Sequence, residues 1–195
     1  MKISSINSAM ETGREKILFL RLKSKDKQAF IKAYDLYINQ IYRFIYFKVG
    51  SKEEAEDLTS AVFLKTWGYI QEGNLTDYKT LKSLIYKIAR NLIIDHYRKT
   101  SRQEKVSISI SAGDCELNLI DEKQDIVKQM ELKMEFAGLE AKLAELKDEY
   151  REALVLRFIN ELSIGEMADI LNKPRGNVRV LIFRALEALK RIAGA

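Results

Sequence analysis

Aromatic and basic residues are interspersed along the segment 78–99, where Tyr78, Tyr86 and Tyr97 lie among basic residues that include Lys79, Lys82, Lys87, Arg90 and Arg98. Aromatic rings offer unstacked bases a face to stack on, while cations follow the phosphates of the strand. The combination predicts binding of single-stranded nucleic acid. The alternative is that the tyrosines only cover a helix, and for Tyr86 the sequence favours neither interpretation.

A second basic segment, 171–191, holds six basic residues and one acidic residue. Arg175, Arg179 and Phe183 follow each other at four-residue spacing, which places them on one edge of a helix, with Val180 and Arg184 beside them. Such an edge fits the major groove of DNA, where arginine reaches guanine or a phosphate and Phe183 packs on a thymine methyl or the sugar edge. We expect Arg179 to read a base and Arg175, at the helix start, to hold a phosphate. The alternative for Phe183 is packing on a neighbouring domain.

Catalysis and metal binding have no comparable support in the sequence. His96, the only histidine, follows Asp95 without a reactive nucleophile, and no glycine-rich phosphate loop occurs. One histidine and one cysteine cannot complete a zinc site of three or four nitrogen and sulfur ligands. Cys115 is either an inert linker residue or an oxidant sensor. We therefore expect a binding protein without cofactors rather than an enzyme.

Composition agrees with a folded, polyanion-binding chain. Hydrophobic residues make up 47% of the 195 residues, enough for a core, and one proline with nine glycines favours helix over sheet. The formal net charge of +5 suits a nucleic-acid partner, although solvated helix faces would explain the charge equally well. Because residues 1–13 lack a signal-peptide pattern and no run of about 18 apolar residues occurs, we expect a cytoplasmic protein.

Apolar residues at helical spacing predict three helices in the first half of the chain. The first runs from Phe30 to the stop at Gly50, and Ser51 with Glu54 forms a capping-box signature for the second, which continues to Ile70. A loop over 71–79 precedes the third helix, over 81–99. From residue 100 to about 124 the periodicity is lost, which indicates a linker, although 106–110 alternates as a short strand does.

The last third of the chain contains the most specific local pattern. After helical patterns at 130–146 and 153–157, Ser163 and Glu166 form a second capping box that opens a short helix ending at Leu171. Asn172 suits the left-handed turn, and Pro174 suits the first turn of the next helix. This is the helix-turn-helix plan. The second helix has an apolar face around Val178 and an opposite face formed by Gly176, Arg179, Val180, Phe183, Arg184, Glu187 and Arg191.

Four blocks of residues, in order, make the chain resemble the extracytoplasmic-function (ECF, group IV) sigma factors of bacterial RNA polymerase. The first is Ala29-Phe30 with Tyr34 and Tyr37; the second is Ala55-Glu56-Asp57-Leu58-Thr59, Val62-Phe63-Leu64-Lys65 and Trp67; the third is Leu84-Ile85-Tyr86-Lys87-Ile88-Ala89-Arg90-Asn91 with Asp95 and Arg98; and the fourth is Gly176-Asn177-Val178-Arg179 with Phe183-Arg184-Ala185.

The resemblance implies an all-α fold of two small helical domains, regions 2 and 4, joined by a flexible linker. We assign 1–24 to an N-terminal extension and the start of the first helix, 25–102 to region 2, 103–128 to the linker and 129–195 to region 4. Residues 1–13 have no assigned role. The implied partners are core RNA polymerase, promoter DNA both as duplex and as melted strand, and an anti-sigma factor.

The resemblance also implies three sets of site residues. The minus-ten element contacts the loop 71–79 and the helix after it, through Asn74, Tyr78, Lys87, Arg90, Asn91 and Arg98. The minus-thirty-five element contacts Arg175, Asn177, Arg179, Val180, Phe183 and Arg184. The polymerase clamp contacts Glu53, Glu56, Asp57, Thr59 and Ser60. The chain departs from the family pattern at Ala61, Lys173 and Leu181, which bear on the clamp and duplex contacts.

Two other functions fit parts of the sequence. One is a helix-turn-helix regulator of duplex DNA whose first helices form a dimerisation or sensor domain without polymerase contact. The other is a helical protein-interaction module whose basic faces serve only solubility. The segment 78–99 favours the sigma-factor interpretation over the duplex regulator, because a repressor that binds only duplex DNA has no use for stacking aromatics.

Overall fold

A computed structural model describes residues 13, 16–75, 77, 80–103 and 138–194, which contain helices and no strand. The alternating segment 106–110, Cys115, Tyr78 and most of the N-terminal extension lie outside the described residues. The helices are α1 (16–23), α2 (Lys27–Val49), α3 (Lys52–Gln71), α4 (Thr80–Gln103), α5 (138–144), α6 (Asp148–Leu154), α7 (Ile164–Leu171) and α8 (Arg175–Ala193). The all-α prediction is confirmed.

The first predicted helix begins earlier in the structure than its apolar pattern does, because Asp26 caps α2. One carboxylate oxygen of Asp26 accepts the backbone N–H groups of Gln28 at 2.8 Å and Ala29 at 3.3 Å, and the other accepts Arg21 Nε at 2.7 Å. The hydrogen bond from Arg21, followed by the two backbone bonds, lowers the pKa of Asp26 below its ordinary value. At the other end of this domain α4 continues to Gln103, four residues past its predicted end.

The first compact unit comprises residues 1–42 and 56–105. Its core combines the apolar stripes of three helices, through Ala33, Tyr37 and Ile41 of α2, Val62, Phe63 and Ile70 of α3, and Ile85, Ala89 and Ile93 of α4. Two aromatic pairs join α2 to α3: Phe30 with Trp67 at 4.8 Å and Tyr34 with Phe63 at 4.7 Å between ring centroids. Offset and edge-on ring packing of this kind adds to the burial of apolar area.

The second compact unit comprises residues 43–55 and 106–195, so it includes the last turns of α2. Lys48 is buried there, and its ammonium group pairs with the Asp148 carboxylate at the start of α6. The Arg151 guanidinium donates to the Leu143 carbonyl at 2.8 Å and to the Lys48 carbonyl at 3.5 Å. A buried ammonium group needs such a partner, because desolvation without one is costly.

A π-helical turn, Val155–Ile159, follows α6 directly and was not predicted from the sequence. Its end is marked by Asn160, whose N–H reaches back to the Val155 carbonyl at 2.9 Å, and by Glu161, which adopts a positive φ of 56°. The Leu162 N–H then bonds to the Leu156 carbonyl at 2.9 Å. These bonds end the helix abruptly and direct the chain into Ser163, where α7 begins.

The helix-turn-helix forms as the local pattern predicts. Ser163 accepts the Glu166 N–H at 3.3 Å, and the Glu166 carboxylate accepts the Ser163 N–H at 2.8 Å, which completes the capping box. Asn172 ends α7 in the left-handed conformation, with φ 52° and ψ 48°. The prediction for Pro174 is displaced by one residue: Pro174 is the N-cap of α8, with an extended ψ of 145°, and Arg175 is the first helical residue.

Loss of the capping box should weaken the helix-turn-helix measurably. We expect Ser163→Ala to lower the free energy of unfolding by about 1 kcal/mol, because the Glu166 N–H loses its acceptor. Urea unfolding followed at NMR signals of α7 measures the change. Ser163→Asp, which retains a side-chain acceptor, is the control and should unfold close to the wild type; equal stability of the Ala and Asp variants would contradict the role of the cap.

Candidate nucleic-acid interface

The second helix of the helix-turn-helix, α8, separates its apolar and charged residues onto different faces. Val178, Ile182 and Ala185 are buried, and α8 packs against both α6 and α7. The six residues predicted to contact the minus-thirty-five element are all exposed: Arg175, Asn177, Arg179, Val180, Phe183 and Arg184. Burial of one stripe therefore leaves the predicted groove-facing edge open to a partner.

Phe183 is the most informative residue of this face, because its large apolar ring is 64% exposed. The ring borders a shallow groove of about 350 Å³, whose other walls are Tyr150, Arg184, Glu187, Ala188 and Arg191. Val180 is 48% exposed on the preceding turn. Two exposed apolar residues between arginines suit the edge of a base pair, where a thymine methyl and the acceptors of guanine lie side by side.

The basic face of α4 is a line of polar residues at helical spacing. Lys87, Asn91 and Arg98 are exposed and differ by four and seven positions, so they lie along one side of the helix, with Ile94 between them. Arg90 is half-buried beside this line. From Lys87 to Arg98 the helix rises about 16 Å, the length of several nucleotides of extended strand. Asn74, in the preceding loop, is exposed and donates to Glu72 at 2.9 Å.

The tyrosines of the segment 78–99 have different environments. Tyr86 is fully buried in the first unit, so it is a core residue and offers no stacking face. Tyr97 is 42% exposed and contacts the His96 ring at 5.7 Å between centroids. Tyr78 lies outside the described residues. Among the described tyrosines of this segment, Tyr97 is therefore the one available to a base.

An acidic face forms the first half of α3. Glu53, Asp57 and Ser60 are exposed and lie along one side of the helix, with Glu56 exposed beside them. Thr59 departs from the predicted set, because its side chain is 3% exposed and lies in the core. Helical geometry explains this: Thr59 is three positions before buried Val62 and is turned about 100° around the helix from Ser60.

Leu64 continues the same side of α3 and was not assigned a site role from the sequence. It is 73% exposed, four residues after Ser60 and seven after Asp57. A helical wheel of the segment 53–64 would have revealed it, since the wheel places Leu64 in line with the carboxylates and away from Val62 and Phe63. The acidic face thus ends in an exposed apolar side chain.

Two family models match the chain. The model of Sigma-70 region 2 matches residues 33–103, and that of Sigma-70 region 4 matches residues 137–189. The ECF RNA polymerase sigma factor SigW of Bacillus subtilis is 31% identical over 88% of this chain and 92% of its own length. SigM of the same organism, another ECF RNA polymerase sigma factor, is 31% identical over 82% of this chain and 91% of its own length.

The chain belongs to the ECF RNA polymerase sigma factor family.

Solved structures agree with this sigma factor's fold. CnrH, determined in complex with the cytosolic domain of CnrY, superposes with a TM-score of 0.68 at 18% identity, covering 92% of this chain and 97% of its own. The sigma factor RpoE of Bartonella quintana, in complex with the anti-sigma factor NepR, gives a TM-score of 0.64 at 20% identity, covering 85% of this chain and 97% of its own. At these identities the likeness concerns the fold alone.

No helix within the described residues is long and apolar enough to cross a membrane. Within the same part of the chain, no three side chains of the metal-binding types come together.

The exposed position of Arg179 allows base reading to be separated from phosphate binding. On the duplex that the protein selects from a random library, we expect Arg179→Ala to cost about 1 to 3 kcal/mol and to relax the preference at one base pair. Binding to the selected and to a scrambled duplex, at two salt concentrations, measures both effects. Arg175→Ala is the matched comparison. It should weaken binding to both duplexes alike and make the negative slope of log affinity against log salt shallower by about one. An equal loss on both duplexes for Arg179→Ala would refute base reading.

Proposed function

We propose that this sigma factor directs transcription initiation through three separate surfaces on two domains, region 2 over 25–102 and region 4 over 129–195. The exposed edge of α8 reads the minus-thirty-five duplex. The basic face of α4 and the loop before it hold the melted minus-ten strand. The acidic face of α3 binds the polymerase clamp. The observation that carries this proposal is the exposed edge of α8, which mixes basic and apolar residues. A helix whose charges served only solubility would not need exposed apolar residues between them.

On the duplex, the residues of α8 divide by position. Arg179 and Phe183 lie one turn apart in the exposed edge, where they reach a guanine and a thymine methyl or sugar. Val180 and Arg184 lie beside them. Arg175 and Asn177 are exposed in the first turn of α8, close to where the helix approaches the strand backbone, so we assign Arg175 to a phosphate.

On the melted strand, charge and stacking are supplied by neighbouring residues of α4. Lys87 and Arg98 carry cations at the two ends of the line, Asn91 carries an amide that can hydrogen-bond a base, and Tyr97 offers a ring face. Arg90 adds a further cation beside the line. Asn74 and Tyr78 belong to the loop that we assign to a base taken out of the stack. Unstacking a base costs a few kcal/mol, and binding of the base in a pocket offsets this cost.

The clamp surface is a pairing of opposite charges. Glu53, Glu56 and Asp57 present three carboxylates with Ser60, and we expect basic residues of the polymerase opposite them. Some of this acidity also serves the helix itself, since Glu53 and Glu54 lie in the first turn of α3, where the dipole favours anions. Asp57 lies beyond that turn, so its charge is the one least explained by the dipole.

Charge reversal at Asp57 should therefore weaken assembly without unfolding the domain. We expect Asp57→Arg to reduce the affinity for core RNA polymerase, with a larger deficit at low salt, because an attraction is replaced by a repulsion. Equilibrium binding to core polymerase and thermal unfolding provide the two measurements. Asp35→Arg makes the same charge change at an exposed position of α2 and is the control. Unchanged polymerase affinity of Asp57→Arg would sink the proposed surface.

The remaining parts of the proposal concern context. We propose that the protein acts in the bacterial cytoplasm, where polymerase and promoter are found, and that it contributes binding and no catalytic step of its own. An anti-sigma factor that covers the polymerase-binding and DNA-binding faces is the expected inhibitor, by analogy with the complex of RpoE and NepR. A pull-down from native cells that recovers only polymerase would count against this inhibitor.

Reconstitution tests the function as a whole. We expect the protein to co-purify with core RNA polymerase and to start transcription from the promoter that the holoenzyme selects from a library. Its single variants Asp57→Arg and Arg179→Ala should fail at different stages, the first at holoenzyme formation and the second at promoter selection. Duplex binding without association to polymerase would instead identify a regulator of the helix-turn-helix type.

A further inference from the structure

Gly165 and Arg175 meet at the junction of the two helices of the helix-turn-helix. Gly165 is the second residue of α7, and Arg175 is the first residue of α8. A Cβ atom at Gly165 would lie 3.4 Å from Arg175 Nη2, 3.7 Å from Cζ and 3.8 Å from Nε. Because the three distances differ so little, the guanidinium group lies alongside the backbone of α7 rather than pointing one atom at it.

This contact is particular to Gly165. Gly68 in α3 and Gly176 in α8 are also helical, and a Cβ atom at either would meet nothing within 4 Å. Among the glycines that the structure describes, Gly165 is the one at which a side chain would meet a neighbour. Its φ is not in the left-handed region, so backbone conformation does not demand a glycine there. A small residue at this position leaves the space beside α7 open to the Arg175 guanidinium group.

Local hydrogen bonds fix the backbone on the Gly165 side of the contact. The capping box of Ser163 and Glu166 fixes the first turn of α7, in which Gly165 lies. Arg175 is an exposed residue, and its guanidinium group lies beside Gly165 of α7. A planar guanidinium that is already oriented loses less freedom when it forms hydrogen bonds to a phosphate.

We propose that Gly165 is a positioning residue for DNA binding: the absence of a side chain larger than a methyl group leaves the space in which the Arg175 guanidinium lies ready for a phosphate of the minus-thirty-five duplex. The inference rests on the phosphate role proposed above for Arg175. α7 itself is assigned no DNA contact. The proposal adds that α7 sets the direction of one contact that α8 makes.

The distances predict a graded response to substitution. The methyl group of Gly165→Ala would touch Nη2 at an ordinary van der Waals distance, so the guanidinium group keeps its place. The two γ-carbons of Gly165→Val extend into the space around that methyl and displace the guanidinium group. Gly165→Gln, which is unbranched and a better helix former, offers a second bulky variant if the valine variant does not fold.

The experiment measures how the full-length protein binds a random-sequence duplex between 50 and 200 mM salt. We expect Gly165→Val to make the negative slope of log affinity against log salt shallower by about one, as Arg175→Ala does, because both remove one phosphate contact. Over this fourfold range of salt, the affinity of the wild type then falls about 3.5-fold more than that of either variant. Gly165→Ala should keep the wild-type slope. Gly68→Val, a helical glycine with open space, is the control for the substitution itself.

The double variant Gly165→Val with Arg175→Ala decides whether the two residues act together. If Gly165 acts through Arg175, the double variant binds no more weakly than Arg175→Ala alone. An equal loss from Gly165→Val in both backgrounds overturns the positioning role. An unchanged slope for Arg175→Ala overturns the phosphate assignment itself. The Nε–Hε NMR signal of Arg175 gives a readout without DNA: it should shift in Gly165→Val and stay in place in Gly165→Ala, and an unmoved signal in the valine variant refutes the contact.

Discussion

Burial of the apolar stripe of α8 is the constraint on which the DNA-binding surface depends. Val178, Ile182 and Ala185 repeat at three and four residues, and their removal from water against α6 and α7 fixes the rotation of α8 about its axis. Once that rotation is set, helical geometry determines which residues of α8 face outward. Arg179 and Phe183 are exposed because Val178 and Ile182 are not. Two neighbouring stripes of one helix thus serve stability and recognition separately.

The two ends of α7 are defined by local hydrogen bonds and backbone conformation rather than by apolar burial. The capping box at Ser163 fixes the start of α7, and the left-handed Asn172 ends it after eight residues, which leaves Lys173 and Pro174 for the turn. Both features use interactions within a few residues of each other. The preceding π-helical turn, with the positive φ of Glu161, brings the chain to Ser163 at the required angle. Local bonds therefore set the ends of α7, and packing sets its face.

The features that were predictable from sequence are those whose causes are local. Ser163, Glu166 and Asn172 act on backbone groups near themselves, and the spacing of Val178 and Ile182 reports a periodicity of one helix. The features that were missed have distant or subtle causes. The π-helical turn follows α6 directly, so the apolar spacing does not mark where one ends and the other begins. Asp26 caps α2 with the help of Arg21, outside the apolar pattern that marked the helix. Tyr86 looked the same as Tyr97 in the sequence, and only the core of the first unit distinguishes the buried ring from the exposed one.

The exposed lines of α3 and α4 carry charges of opposite sign, which matches the two kinds of partner proposed for them. The exposed line of α3 carries carboxylates and ends in Leu64, whereas that of α4 carries Lys87 and Arg98 around an amide. A nucleic-acid strand is repelled by the first line and attracted by the second, and a basic protein surface responds in the opposite way. Neither line needs high affinity alone, because binding at one brings the other to high effective concentration beside its own partner. In the proposed function, this separation of charge between helices assigns the protein partner to α3 and leaves α4 for the nucleic-acid strand.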